Sequence, residues 1–212
     1  MSYFFHKSNF LMKWFYPNCI WEIPTDKKVI YLTFDDGPMP AVTHFVLETL
    51  SDFNAKATFF CIGDNIQKHP TIFKKVLNAG HAVGNHTFNH LSGWKTNTLD
   101  YQKNIELCQN QIELTTQTNM FRPPYGRIKL SQIKHLKKDY KIVMWSVLTG
   151  DFSSDLSPEI ILEKSIKNTK KGSIVVFHDS IKASNNLEFV LPRYLKHFAD
   201  LGYAFEKLPY FQ

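Results

Sequence analysis

Short apolar runs alternate with longer amphipathic stretches along this chain. The runs are Val29–Phe34, Ala57–Ile62, His81–Gly84, Met120–Arg122, Ile142–Val147, Ile174–Phe177 and Tyr203–Leu208. They are short and rich in Val, Ile, Phe and Tyr, a pattern that predicts buried strands. Between them the period changes to that of a helix. Val42–Phe53 places Val42, Phe45, Val46, Thr49, Leu50 and Phe53 on one face. Pro70–Ala79 groups Ile72, Phe73, Val76 and Leu77, and Gly80 follows where a left-handed cap is needed. Thr98–Thr116, Lys129–Lys138, Pro158–Lys170 and Asn186–Asp200 read the same way, with Pro158 at a first helical position behind Ser157.

Strands that alternate with helices imply βαβ units and a parallel sheet. Seven strands with no GxGxxG or GxxxxGK[ST] fingerprint favour a closed or nearly closed barrel over a nucleotide-binding open sheet. The fold class is therefore α/β. One domain over residues 26–212 is expected, with an aromatic segment over residues 1–25 packed on it. In such barrels the chemistry sits at the C-terminal ends of the strands.

Composition narrows the function classes. The net charge is +6, but the lysines are scattered, and the cluster Lys134, Lys137 and Lys138 reads as a solvated helix face. No nucleic-acid motif is present, so no nucleic-acid partner is expected. Cys19, Cys61 and Cys108 form no CxxC pair, and Cys61 lies in an apolar run, as a buried free thiol does. The N-terminal MSYFFHKSNFLMKWFYP is interrupted by Lys7 and Lys13 and lacks the apolar core and cleavage site of a secretory signal. No stretch has the roughly 20 apolar residues of a membrane span. On sequence alone the expected location is the cytoplasm.

Polar residues collect where the runs end. Asp35 and Asp36 close the first run before Gly37-Pro38. The third leads into His86-Thr87-Phe88-Asn89-His90, whose histidines at i and i+4 would share one face of a helical turn. The fourth ends in Phe121-Arg122-Pro123-Pro124-Tyr125-Gly126, the fifth leads to Asp151, and the sixth ends in His178-Asp179. Each motif alone has a plainer reading: a turn, a weak histidine pair, a core histidine. Together they make a hydrolytic set. Asp36, His86 and His90 supply the two imidazoles and one carboxylate of a catalytic zinc, for which cobalt, nickel or iron are alternatives. Asp35 would accept a proton, His178 would donate one, and Arg122 and Asp151 would orient Asp35. Tyr125, Phe152, Phe88 and Trp94 are aromatic side chains near the same ends, candidates to stack on the face of a substrate ring.

These motifs, in this order, resemble the polysaccharide deacetylase family with the NodB homology domain, carbohydrate esterase family 4. The resemblance covers roughly Lys28 to Leu208 and rests on Thr33-Phe34-Asp35-Asp36-Gly37-Pro38, on His86 to His90 and on Arg122 to Gly126. Around Asp151 the chain departs from the pattern. Leu148 and Phe152 stand where many members have Asp and Trp. The resemblance implies a distorted (β/α)7 barrel and a metal-dependent hydrolase that frees acetate from an N-acetylated amino-sugar polymer or oligomer, chitin-like or peptidoglycan. It implies Asp35 as general base, His178 as general acid, and Asp36, His86 and His90 as metal ligands. It also implies the Tyr125 N–H as an oxyanion donor, Arg122 positioning Asp35, and Asp151 holding Arg122. A small-molecule amidase and an inactive carbohydrate-binding relative are the other readings of the same scaffold.

Overall fold

The computed structural model describes residues 5–211, so the first four residues of the aromatic N-terminal stretch lie outside it. Its strands are β1 (Cys19–Ile20), β2 (Val29–Asp35), β3 (Thr58–Cys61), β4 (Ala82–Asn85), β5 (Met120–Phe121), β6 (Lys141–Val143), β7 (Val147–Leu148), β8 (Ile174–His178) and β9 (Ala204–Glu206). Its α-helices are α1 (Phe10–Phe15), α2 (Val42–Asp52), α3 (Gly63–Lys68), α4 (Pro70–Asn78), α5 (Thr98–Glu113), α6 (Leu130–Leu136), α7 (Pro158–Asn168) and α8 (Ser184–Asp200). The strands form one sheet in the order β1-β6-β5-β4-β3-β2-β8-β7, with β9 also on β2, and the strand pairs are parallel. This is the irregular, curled (β/α)7 barrel that the sequence implied.

Every apolar run carries a strand, with two differences. Tyr31 pairs with both Ile174 of β8 and Glu206 of β9, so β9 lies on the same edge of β2 as β3, below it. The run Ile142–Val147 splits into β6 and β7, which do not pair with one another. At the break, the Val143 and Met144 carbonyls accept hydrogen bonds from the Arg122 side chain. A side chain thus takes acceptors that a regular strand would offer to a neighbour. Helix boundaries follow local chemistry. The Ser157 hydroxyl caps α7 by accepting from Ile160 N–H, with Pro158 in the first turn. Gly80 takes φ +82° just past α4, a conformation glycine adopts without strain. The short helices α1 and α3 have too few residues for a periodic signal and went unread.

The N-terminal segment crosses the top of the sheet. Lys7 forms an antiparallel bridge to Val147, and Ser8 N–H donates to Ser146 O at 3.1 Å. Lys13 pairs with Glu22 at 3.0 Å, and Glu22 also pairs with Lys170 at 3.1 Å. Helix α1 buries none of its residues.

The core lies between β2, β3 and β8 and the outer helices α2, α7 and α8. Phe34, fully buried at its centre, stacks on Phe59 at 5.0 Å and on Phe177 at 5.8 Å. Cys19, Cys61 and Cys108 are buried and free, and burial pushes the Cys108 thiol up to about 12. Phe34→Ala removes the middle ring of three. It should cost about 3–5 kcal/mol of unfolding free energy in a denaturant titration, and a loss under about 1 kcal/mol would mean this stack is not the packing centre.

Candidate active site

The site is assembled at the C-terminal ends of β2, β4, β5 and β8. Strand β2 delivers Asp35, and the chain then turns through Asp36, whose φ of +83° swings its side chain back over the strand ends. Asp179, the residue after β8, holds this turn. It accepts from Gly37 N–H at 3.0 Å and from the Thr43 hydroxyl at 2.6 Å, while its own N–H donates to Asp35 O at 3.0 Å. Residue 37 must be glycine, because a β-carbon there would overlap the Asp179 carboxylate. Burial raises Asp179 to about 8, against the hydrogen bonds it accepts. Asn65 of α3 completes the turn by donating to Asp36 O at 2.7 Å.

His86 and His90 converge differently from the sequence expectation. They share no helical turn. Residues 86–90 form an irregular loop in which Thr87 and His90 take left-handed φ values of +63° and +56°. Asparagines supply the hydrogen bonds that a helix would have made internally. Asn85 Oδ1 accepts from Thr87 N–H at 2.9 Å. Asn104 Oδ1, on α5, accepts from Phe88 N–H at 2.9 Å and Asn89 N–H at 3.0 Å. His86 Nδ1–H donates to Arg122 O at 2.8 Å, which leaves Nε2 as the ring's free donor atom facing the site.

The donor atoms of Asp36, His86 and His90 all lie within 4.8 Å of one another. Asp36 Oδ1 is 3.2 Å from His90 Nε2 and 3.7 Å from His86 Nε2, yet it is buried and accepts no hydrogen bond. A buried carboxylate oxygen without a partner is costly, and a cation between these three atoms would remove that cost. Burial, with His86 close by, lowers His90 to about 4, so the ring is neutral as a ligand must be.

Arg122 emerges from β5 fully buried. Nη1 donates to Asp35 Oδ1 and to the Thr33 hydroxyl, each at 2.7 Å. Nε donates to Val143 O at 3.2 Å and Nη2 to Met144 O at 2.9 Å, while the guanidinium lies 4.1 Å from the Phe60 ring centroid. Burial opposes the charged form of Asp35, but Arg122, aided by His86 and His178, overcomes it and holds the carboxyl below its ordinary value.

Asp151 does not hold Arg122, contrary to the role the resemblance implied. Both of its carboxylate oxygens are spent on His178: Oδ1 lies 2.8 Å from Nδ1 and Oδ2 accepts the backbone N–H at 2.7 Å. The physical reason is that four of the five guanidinium N–H groups already meet Asp35, the Thr33 hydroxyl and the Val143 and Met144 carbonyls, while Asp151 gains two hydrogen bonds at His178. Burial disfavours the imidazolium of His178, yet Asp151 outweighs it and raises this residue to about 9.

Tyr125, at φ +61° in the turn Pro124–Gly126, is exposed and packs on His90 at 4.6 Å. Phe152 meets the His178 ring edge-on at 5.0 Å. Trp94 is also exposed, with its indole N–H fixed to Ile128 O at 3.1 Å. Phe88 packs into the main core, which removes it from the sugar-stacking candidates. Asp35, Asp36, His86, His90 and His178 open into one cleft of about 850 Å³, walled in part by Leu11, Met12, Phe15 and Tyr16 of the N-terminal segment. Sequence reasoning missed Asp179, Asn85, Asn104 and Asn65. The one legible signal was Asp179 directly after His178.

Residues 22–143 match the sequence profile of the Polysaccharide deacetylase family. A peptidoglycan-N-acetylglucosamine deacetylase of Bacillus cereus is 36% identical over 191 residues, which is 87% of this chain and 88% of that protein. A chitooligosaccharide deacetylase of Azorhizobium caulinodans is 35% identical over 74% of this chain and 76% of its own. A crystal structure of the Bc1960 peptidoglycan N-acetylglucosamine deacetylase superposes with a TM-score of 0.87 at 30% identity, covering 95% of each chain. Other matched relatives are longer, and this chain spans 58% of one and 35% of another.

The contact between Asp151 and His178 has a direct test. Asp151→Asn should drop the His178 titration, followed by imidazole NMR, from its raised value toward or below the ordinary ~6.5. An unmoved titration would mean that something other than Asp151 holds the proton on this ring.

Proposed function

The chain belongs to the polysaccharide deacetylase family, hydrolases of N-acetylated sugars, and on that premise we propose that it removes acetyl groups from N-acetylglucosamine units of a polymer or oligomer and releases acetate. One observation carries this reading. Asp35 and His178 are direct register partners at the ends of adjacent parallel strands, and the first is biased to lose a proton while the second is biased to keep one. Amide hydrolysis needs that pair of states. Water must lose a proton as it attacks, and the amine must gain one as it leaves.

The family is metal-dependent, and the residues present fit an ion. Asp36, His86 and His90 would hold it, with the buried, unpartnered Asp36 Oδ1 as the strongest sign. Zinc suits two imidazoles and a carboxylate best, although cobalt, nickel and iron bind such sets. When bound, the ion supplies Lewis acidity that polarises the acetamide carbonyl and acidifies water.

The protein's own groups do the rest. Asp35 accepts the proton of the attacking water, and its orientation is fixed by Arg122 through Oδ1, which leaves Oδ2 for the water. The Tyr125 backbone N–H, presented by the Pro124–Gly126 turn, donates to the carbonyl oxygen as it becomes an oxyanion. His178 holds its reactive proton on Nε2, because Nδ1–H is committed to Asp151, and transfers it to the departing nitrogen. The product is a free amine that leaves as a neutral group.

Acetate release from N-acetylglucosamine oligomers tests the reading. Chelation should abolish it and added zinc should restore it. Turnover that survived with metal verified absent would reject the donor-set assignment. Asp35→Asn and His178→Ala should each lose roughly 10²–10⁴-fold in rate with metal content retained. In the pH–rate profile, activity falls as pH rises through the His178 pKa, since only the imidazolium can donate. Asp151→Asn lowers that pKa, so the basic limb should move to lower pH. A shift to higher pH, or no shift, would place the acid elsewhere.

A further inference from the structure

The N-terminal segment spans the gap between the two ends of the sheet, which are β1 and β7. Leu148 N–H donates to His6 O at 3.0 Å and Ser8 N–H to Ser146 O at 3.1 Å, which lays residues 6–8 along β7, while Cys19 pairs with Ile142 of β6. Helix α1 therefore crosses the gap beside the catalytic cleft, outside the residues that the family profile matches. Its large apolar residues form two rows. Leu11 and Phe15, one turn apart, line the cleft, and Phe10 and Trp14 do not. Leu11 is 58% exposed and Phe15 56%, so the row that faces the cleft is left uncovered by the fold.

On the sheet side the same cleft is lined by Met144, Trp145 and Leu148. Leu148 stands where many members of the family have Asp. Such walls suit a sugar ring poorly, since each hydroxyl set against Leu11 or Leu148 gives up water for no side-chain partner. Nearby polar side chains are turned to the protein. Asn9 Oδ1 caps α1 by accepting from Met12 N–H at 2.9 Å, and the Tyr16 hydroxyl donates to Ile128 O at 3.4 Å. Ser8 differs. It is only 7% exposed and lines the cleft, and its hydroxyl has no partner among the described residues. A buried, unpaired hydroxyl in an apolar wall is completed by one polar atom of a ligand. The occupant is therefore apolar, thin enough to enter the cleft, and joined to the attacked sugar through a polar atom. A membrane or a second copy of the chain would cover α1 from outside, where Phe10 and Trp14 lie, and would not reach the inner row.

Resting on the deacetylase reading, we propose that Leu11, Phe15, Met144 and Leu148 form a subsite for an unbranched hydrocarbon chain, and that the substrate is an amphiphile: an N-acetylglucosamine oligomer whose attacked unit carries such a chain through an ether or ester oxygen. The Ser8 hydroxyl donates to that oxygen. The subsite acts on binding and takes no part in the proton transfers.

The test measures binding and turnover separately. An N-acetylglucosamine disaccharide is prepared as the methyl glycoside, as the hexyl glycoside, and as the methyl glycoside with a hexyl ether at O6, all used below the concentration at which micelles form. Binding is followed by calorimetry on the zinc-loaded full chain carrying Asp35→Asn, which keeps the ligand intact. Each fully buried methylene is worth up to about 4-fold, so one hexyl compound should bind at least about 10-fold tighter than the methyl glycoside, with a more negative heat-capacity change. The compound that gains identifies where the chain is attached. Leu11→Ser and Phe15→Ser should each cut the preference by about 3–10-fold, and because α1 buries none of its residues these substitutions spare the core. Phe10→Ser and Trp14→Ser should leave it intact. Equal affinity for all three compounds would overturn the proposal. So would a preference that survives Leu11→Ser and Phe15→Ser, or one that falls with Phe10→Ser and Trp14→Ser, since the chain would then lie on the outer face of α1. In acetate release by the zinc-loaded wild type the same preference should appear in KM. No acetate from any disaccharide or from N-acetylglucosamine tetramers, with the hexyl preference in binding intact, would instead overturn the deacetylase reading and leave the apolar subsite standing.

Discussion

Everything at the strand ends depends on burying one guanidinium. Arg122 has no exposed surface, and an unpaired cation there would cost several kcal/mol in desolvation. The fold offsets this with partners from two strands and the break after one of them: Asp35 and Thr33 on β2, the carbonyl of Val143 in β6, and the carbonyl of Met144 just past it. A strand interruption supplies two of those acceptors. The barrel's irregularity is thus tied to the charge it must hold. The same residue extends the order outward through its backbone, since its carbonyl accepts from His86 Nδ1 and fixes which imidazole nitrogen faces the donor set.

From this follows the division of labour between two buried pairs. Asp35 with Arg122 gives a carboxylate kept ionised by a permanent cation. His178 with Asp151 gives an imidazole kept protonated by a carboxylate. Neighbouring strands carry opposite pairs, and their titrating members meet in register. Had Asp151 bonded Arg122, one cation would have served two carboxylates and His178 would have had no counter-charge. Placing Asp151 on His178 therefore gives both proton carriers the charge state that amide hydrolysis requires.

The legible part of the sequence was the part with period or fixed spacing. Apolar runs marked the strands because both faces of the sheet are covered, and the polar residues at their ends marked the site. What was not legible depended on three-dimensional competition for partners. The partners of Arg122 could not be read, because the main-chain carbonyls that accept from it have no sequence signature. The spacing of His86 and His90 suggested a helical turn, but Asn85 and Asn104 stabilise a loop through side-chain hydrogen bonds from distant positions. Phe88 looked like a sugar platform until the main core claimed it. Asp179 was visible beside His178 and had no assigned role, since nothing local shows that it clamps Gly37 across the sheet.

The central claim is that the charge of Arg122 and that of Asp35 are each tolerable only because of the other. A double-mutant cycle on unfolding free energy, run in chelator so that metal binding does not contribute, measures this directly. Arg122→Leu alone should cost about 3–5 kcal/mol, because it strands a buried carboxylate. Adding Asp35→Leu should recover part of that loss, leaving the double variant more stable than Arg122→Leu. Losses that simply add would contradict the account.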